Sequence, residues 1–194
     1  MTEQHAGLTI RRITGRLQDA GIDDALWEAL LLAEHFTGRN RNFWRADRDT
    51  KIPSAALAEA VEKRCTRYPL QYILGSWEFM GLEFSVREGC LIPRPDTEIL
   101  VEKAIALAEI QVKAQTEALK KPALRVLDLC TGSGCILASV LHYTRNTTGT
   151  AVDLYPAALS VAEENFRNLH LTDRIRLISG DIQQDLLPAD TCMT

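Results

Sequence analysis

The sequence predicts an α/β chain in three parts: a small helical domain, a β-hairpin linker, and a parallel sheet with right-handed crossover helices. Three observations predict it. Residues 124 to 179 alternate short apolar runs with helical periodicity, in the order strand, helix, strand, helix, strand. The first run, Leu124 to Leu129, leads straight into Cys130-Thr131-Gly132-Ser133-Gly134 and a new apolar periodicity at Cys135-Ile136, which reads as strand, tight loop, helix. Residues 6 to 36 and 53 to 65, by contrast, carry helical spacing of apolar residues.

Size and composition bound the rest. A chain of 194 residues holds one domain, or one domain with a small appendage. At 46% hydrophobic and 25% charged it falls in the ordinary globular class. A net charge of −4 gives no sign of direct nucleic-acid binding, and the arginines at 39, 41, 45 and 48 read as a solvated loop, with a local basic patch as the alternative. No apolar run reaches the roughly 20 residues of a membrane span, and residues 1 to 12 lack the apolar core of a signal peptide. Five scattered cysteines suggest reduced thiols and a cytoplasmic protein. Cys130 and Cys135 flank the glycine turn, but no second cysteine pair or nearby histidine completes a zinc set, so no metal is expected.

In chain order, residues 1–68 are expected to form the helical domain. Leu8, Ile13 and Leu17 mark one helix face and Gly21 stops it. Asp23 or Asp24 caps a second helix carrying Leu26, Leu30, Leu31 and Phe36, which Gly38 ends. Residues 39 to 52 read as a charged loop. Pro53-Ser54 opens a third helix through Ala55, Leu57, Val61 and Cys65. Residues 69–95 read as a linker with a hairpin around Gly81. Within it, Pro93 and Pro95 hold Arg94 extended, either as a rigid connector or as an arginine fixed beside a site. Residues 96–194 hold the sheet. Asp96 or Thr97 caps a helix to about Leu119 with Leu100, Ala104, Leu107 and Ala108 on its apolar side, and residues 120 to 122 punctuate before the first parallel strand. Gly149 to Asp153 and Ile175 to Ser179 are the second and third strands of that sheet, with a helix from Pro156 to about Leu169 between them.

The chemistry lies at the strand ends. In an open parallel sheet, ligands bind outside the carboxyl ends of the strands. Asp128, Asp153 and Asp181 lie at or just beyond three such ends. A carboxylate after the second strand can accept two hydrogen bonds from a ribose diol, and Asp181 can take an adenine amino group. A dinucleotide fingerprint needs a third small residue where Leu137 stands, and a pyrophosphate disfavours Asp128 beside the turn. S-adenosyl-L-methionine carries a sulfonium and an ammonium and no phosphate, so acids around the loop favour it over NAD.

At this point the residues resemble a known family. Asp128-Leu129-Cys130-Thr131-Gly132-Ser133-Gly134 resembles motif I of class I S-adenosylmethionine-dependent methyltransferases, and the fold implied is the first half of their Rossmann-like sheet. Leu91 to Glu98, Pro69 to Gly75 and Glu78-Phe79 resemble segments of the protein-glutamine N5-methyltransferases of peptide chain release factors, the PrmC/HemK family. The resemblance implies that Cys130, Thr131, Gly132, Ser133 and Gly134 wrap the methionine part of the cofactor. It places Asp153 on the ribose and Asp181 with Ile182 beside the adenine. Cys130 stands where many members have glycine. The partner implied is a release factor, recognised in part by the helical domain.

The family's acceptor motif, Asn-Pro-Pro-Tyr after the fourth strand, has no counterpart, and no Asn-Pro occurs among the 194 residues. No catalytic residue is therefore assigned. The expectation is a fragment or prematurely terminated product, inactive in methyl transfer, with the strand Val126 to Leu129 left as an apolar edge. Two other functions remain open at this stage: a non-catalytic adaptor holding a release factor through its helices, and an NAD-dependent oxidoreductase module.

Overall fold

The computed structural model describes residues 8–116 and 124–184. They fall into two compact units, Met1–Leu74 and Gly75–Thr194. The first unit is helical. Thr9 caps α1 (Ile10–Asp19) by accepting the Arg12 N–H, and Ile10, Ile13 and Leu17 form the buried face. Leu8 lies outside that face. It precedes the helix and pairs in an isolated bridge with Ile52. α2 (Ala25–Thr37) follows Asp24, whose side chain makes no capping bond, and ends at Gly38 in the left-handed region at φ 68°. Its buried residues include Leu30 and Leu32, whereas Leu26, Leu31 and Phe36 are only partly buried.

The expected loop of residues 39 to 52 contains a helix, α3 (Arg41–Ala46). Asn40 caps it and Trp44 is its one buried residue, so a single apolar anchor supports an otherwise charged turn that periodicity does not reveal. α4 (Ala55–Cys65) starts as expected, with the Ser54 hydroxyl accepting the Leu57 N–H. The run 70 to 74, read as linker, is a further short helix, α5 (Leu70–Leu74). A partly buried ion pair joins α2 to α4: the Glu28 carboxylate accepts from Arg64 Nε at 2.6 Å and Nη2 at 2.9 Å. No described helix is long and apolar enough to cross a membrane.

The second unit opens with the hairpin. β1 (Ser76–Phe79) and β2 (Leu82–Ser85) pair antiparallel, joined by Met80 at φ 55° and Gly81 at φ 70°. Two consecutive left-handed residues make the tight two-residue hairpin turn. Pro95–Thr97 is a short 3-10 turn leading into α6 (Glu98–Thr116). The expected helix end near Leu119 and the residues 120 to 122 lie outside the described residues. The apolar side of α6 differs from expectation. Val101 and Ala108 are buried, with Ala104 and Ile105 packed against the core, while Leu100 and Leu107 are exposed. α6 is apolar on several faces, so hydrophobic spacing alone does not select the packed one.

The sheet is parallel, in the order β3 (Leu124–Leu129), β4 (Thr147–Asp153), β5 (Ile175–Ser179). α7 (Cys135–Tyr143) and α8 (Pro156–Asn168) are the crossovers. β4 starts two residues earlier than the sequence suggests. Leu137, Ala138, Val140, Leu141, Ala162 and Phe166 pack with Ala151 and Val126 in one core. Among the described residues β3 pairs only with β4, and Leu127 and Leu129 are exposed.

Candidate functional site

The site grows from the turn that closes β3. Cys130, Gly132 and Gly134 all take positive φ, at 59°, 57° and 75°. Such backbone costs a non-glycine residue about 1–2 kcal/mol. Cys130 bears that cost, which is the physical reason a glycine is favoured at its position. The turn is pinned to β4 by the Thr131 N–H donating to the Val152 carbonyl at 2.9 Å, and closed by the Gly134 N–H donating to the Thr131 carbonyl at 2.8 Å. Gly134 must be glycine for a second reason. A Cβ there would lie 2.5 Å from Phe166 Cε1, so α8 packs directly on the turn.

The three acids are already engaged. The Thr131 hydroxyl donates to Asp128 Oδ2 at 2.7 Å. Burial pushes the Asp128 carboxyl above its ordinary range, opposed by that hydroxyl and by the Leu137 backbone N–H. Asp153 is 7% exposed. Its Oδ2 accepts the Gly132 N–H at 2.9 Å and its Oδ1 the Tyr155 N–H at 3.0 Å. The bond to Tyr155 is local and is not a helix cap: α8 starts after Tyr155 with no side-chain cap. Asp181 Oδ1 accepts the Gln183 N–H at 2.9 Å, and Oδ2 accepts from Gln184 Nε2 at 2.8 Å.

A cleft of about 330 Å³ opens at the carboxyl ends of β4 and β5, with Cys130, Asp153, Tyr155, Asp181 and Ile182 in its walls. Four of the expected site residues, Cys130, Asp153, Asp181 and Ile182, therefore meet in one place. Thr131 and Ser133 are buried beneath, and Asp128 lies behind them; none of the three lines the cleft. Leu154, Tyr155 and Ile182 expose apolar surface around the carboxylates. A slightly larger hollow crosses the sheet face between Arg125, Thr148 and Arg176, away from the strand-end acids and the turn.

The chemistry of this donor set suits a cation and a diol better than a phosphate. An anion site at a helix N-terminus needs free backbone N–H groups. Here the Gly132 N–H points at the Asp153 carboxylate, and Asp128 stands before the first turn of α7. Each Asp153 oxygen accepts one backbone bond and keeps a second lone pair, which is what a ribose diol requires. S-adenosylmethionine fits these residues, and a pyrophosphate does not. Among the described residues no group of three or more His, Cys, Asp or Glu side chains is placed to hold a metal ion.

Sequence reasoning missed two contributors. Asn165, fully buried on α8, donates from Nδ2 to the Ser133 carbonyl at 2.9 Å. Cys90 is buried against the underside of the turn: a Cβ on Gly132 would meet its Sγ at 4.0 Å. Burial raises its thiol to about 11, which makes it a packing group and not a nucleophile. Nothing in the local sequence flags either residue, because their partners lie 32 or more positions away.

The chain is similar to known proteins. Residues 9–75 match the PrmC N-terminal domain family. The release factor glutamine methyltransferase of Moorella thermoacetica is 35% identical over 181 residues, 90% of this chain and 60% of that protein. The protein of the same name from Corynebacterium glutamicum is 35% identical over 184 residues, 95% of this chain and 62% of that one. That of Bordetella pertussis is 43% identical over 165 residues, 84% and 56%. The chain thus spans about 60% of the length of these relatives. A solved S-adenosylmethionine-dependent methyltransferase from Agrobacterium tumefaciens aligns with 57% of this chain and 34% of its own, at 22% identity and a TM-score of 0.44. The resemblance read from residues 69 to 181 is therefore real, and it extends through the helical segment before them.

Proposed function

We propose that this chain carries the methyl-donor side of a release factor glutamine methyltransferase: it binds S-adenosylmethionine at the β3–β5 cleft for transfer of the methyl group to a glutamine side-chain nitrogen of a peptide chain release factor. The observation that carries the reading is the convergence of Cys130, Asp153, Asp181 and Ile182 on one cleft beside the glycine turn. The names of the relatives support the substrate.

The cofactor, when bound, supplies an electrophilic methyl group on a sulfonium sulfur. The residues 130 to 134 present the backbone that cradles its methionine part, with Asp128 behind them as a fixed negative charge. Asp153 orients the ribose through its remaining lone pairs. Asp181 takes the adenine amino group, and Ile182 packs on the ring. The helical unit, residues 1–68 in this reading, recognises the release factor, and residues 69–95 join it to the donor side. The acceptor motif of the family is not among these 194 residues, so these residues bind donor without a side chain assigned to hold the target amide. Transfer depends on positioning that amide in line with the sulfonium.

Calorimetric titration tests the reading. S-adenosylmethionine and S-adenosylhomocysteine are expected to bind with one site and NAD not to bind. Binding of NAD alone would overturn it. A pull-down with a release factor tests the helical unit separately, and its loss on deletion of residues 1–68 is the expected result.

A further inference from the structure

The sequence marks the hairpin as a linker, yet within the second unit it is held from three helices. The Met80 N–H donates to Glu98 Oε1 of α6 at 2.8 Å, and the Met80 carbonyl accepts the Tyr143 hydroxyl of α7 at 2.7 Å. On α8, Glu164 accepts from the Ser85 hydroxyl and from Arg87. The bond that matters most is different in kind. Asn165 Oδ1 accepts the Ser85 N–H at 2.7 Å, while its Nδ2 donates both to the Ser85 carbonyl at 3.1 Å and to the Ser133 carbonyl at 2.9 Å.

This carboxamide continues the strand. It offers Ser85 at the end of β2 both the acceptor and the donor that a neighbouring peptide unit would offer. Its remaining N–H then reaches the middle of the glycine turn. The orientation is fixed by its partners, since an N–H faces the oxygen and two carbonyls face the nitrogen. Asparagine is a poor residue for a helix interior, and here it is fully buried with non-local partners on both sides. The Ser133 carbonyl belongs to the peptide that joins it to Gly134, against which Phe166 packs, and the residue before it, Gly132, donates its N–H to Asp153. Ser133 thus links Asn165 to the residue whose N–H meets the carboxylate that walls the cleft.

We infer that Asn165 is a positioning residue that couples the hairpin to the methyl-donor loop, so that ligand in the cleft and order in β2 stabilise each other. The inference rests on the reading of the cleft as an S-adenosylmethionine site. Such coupling is reciprocal: whatever orders the hairpin tightens donor binding, and donor binding orders the hairpin. It gives the hairpin a role in the site that a covalent linker does not have.

The test uses the full chain and S-adenosylhomocysteine as probe. In the wild type, ligand is expected to slow hydrogen exchange at the Ser85 amide by about tenfold. Asn165→Asp keeps the acceptor for that amide but sets a carboxylate against two carbonyls. Its affinity is expected to fall about tenfold at about pH 8 and to recover as pH is lowered and the introduced carboxyl takes up a proton that it donates to one of them. Glu164→Gln, which weakens only the exposed pair with Arg87 and leaves the carboxamide's bonds to the Ser85 backbone in place, stays within about twofold of wild type. A wild type that binds the probe with no change at Ser85 would overturn the coupling, and that measurement needs no variant to fold. So would Asn165→Asp binding at wild-type strength at pH 8, or Glu164→Gln matching its loss. A wild type that binds no probe overturns the site reading itself.

Discussion

Gly134→Ala isolates the contact between the turn and α8. The backbone there sits at φ 75°, which costs an L residue about 1–2 kcal/mol. The added Cβ would also stand 2.5 and 2.6 Å from Phe166 Cε1 and Cζ, and 3.3 Å from the Ala162 Cβ. Carbon atoms pack best at about 3.5–4.0 Å, so the overlap with the ring is about 1 Å. Phe166 is 3% exposed and in the core with Leu137 and Ala162, so it has little room to swing. Overpacking of this kind costs about 1–3 kcal/mol, giving a total of about 2–5 kcal/mol. Gly75→Ala is the matched control in the same unit: φ is 76° and a Cβ would meet nothing within 4 Å, so only the backbone cost of about 1–2 kcal/mol remains. Hydrogen exchange at the β4 amides reads the second unit alone. Adding Phe166→Leu should recover about 1–2 kcal/mol of the Gly134→Ala loss as a coupling energy. Equal effects at Gly134 and Gly75, or no coupling with Phe166, would refute the packing argument.

Three further outcomes follow from single interactions. Glu28→Gln leaves the partly buried Arg64 guanidinium without its counter-charge and should cost the first unit about 2 kcal/mol, read from exchange at α2 amides, whereas Glu28→Leu with Arg64→Met should cost less. Arg174→Met frees the carbonyls of Leu141, Thr144 and Thr147, which its guanidinium now binds at 2.8 to 3.0 Å; a loss of about 2–3 kcal/mol is expected, with faster exchange at the last turn of α7. Asp128→Asn should stabilise the ligand-free chain at neutral pH. Burial raises the folded-state value of this carboxyl, so the folded chain holds the proton more tightly than the unfolded one; the resulting stability is present below the unfolded value and is lost as pH rises through the raised folded value. Thermal scans should therefore show the advantage of Asp128→Asn at pH 7 and its shrinkage toward about pH 4, while affinity for S-adenosylhomocysteine falls about tenfold.

What was legible in the sequence was whatever chemistry needs adjacent residues. The turn 130 to 134 had to place three left-handed residues in five positions, and two glycines show it. Asp128, Asp153 and Asp181 stand out because strand ends are visible as ends of apolar runs. What stayed hidden depends on residues far apart in the chain. Asn165 reads as one more polar position on an amphipathic helix until Ser85, 80 residues earlier, is placed beside it. The face of α6 could not be chosen by period because Leu100 and Leu107 repeat as regularly as Val101 and Ala108, and what packs on the helix, the hairpin, β3 and α7, decides which pair is buried. The same limit applies to function. The acids narrowed the ligand to a cation with a diol before any contact was known, since charge is a property of a residue. The coupling between hairpin and donor loop is a property of three residues together. For that reason Asn165, which no motif marks, is the position where a substitution should separate holding the donor from merely having the fold that could.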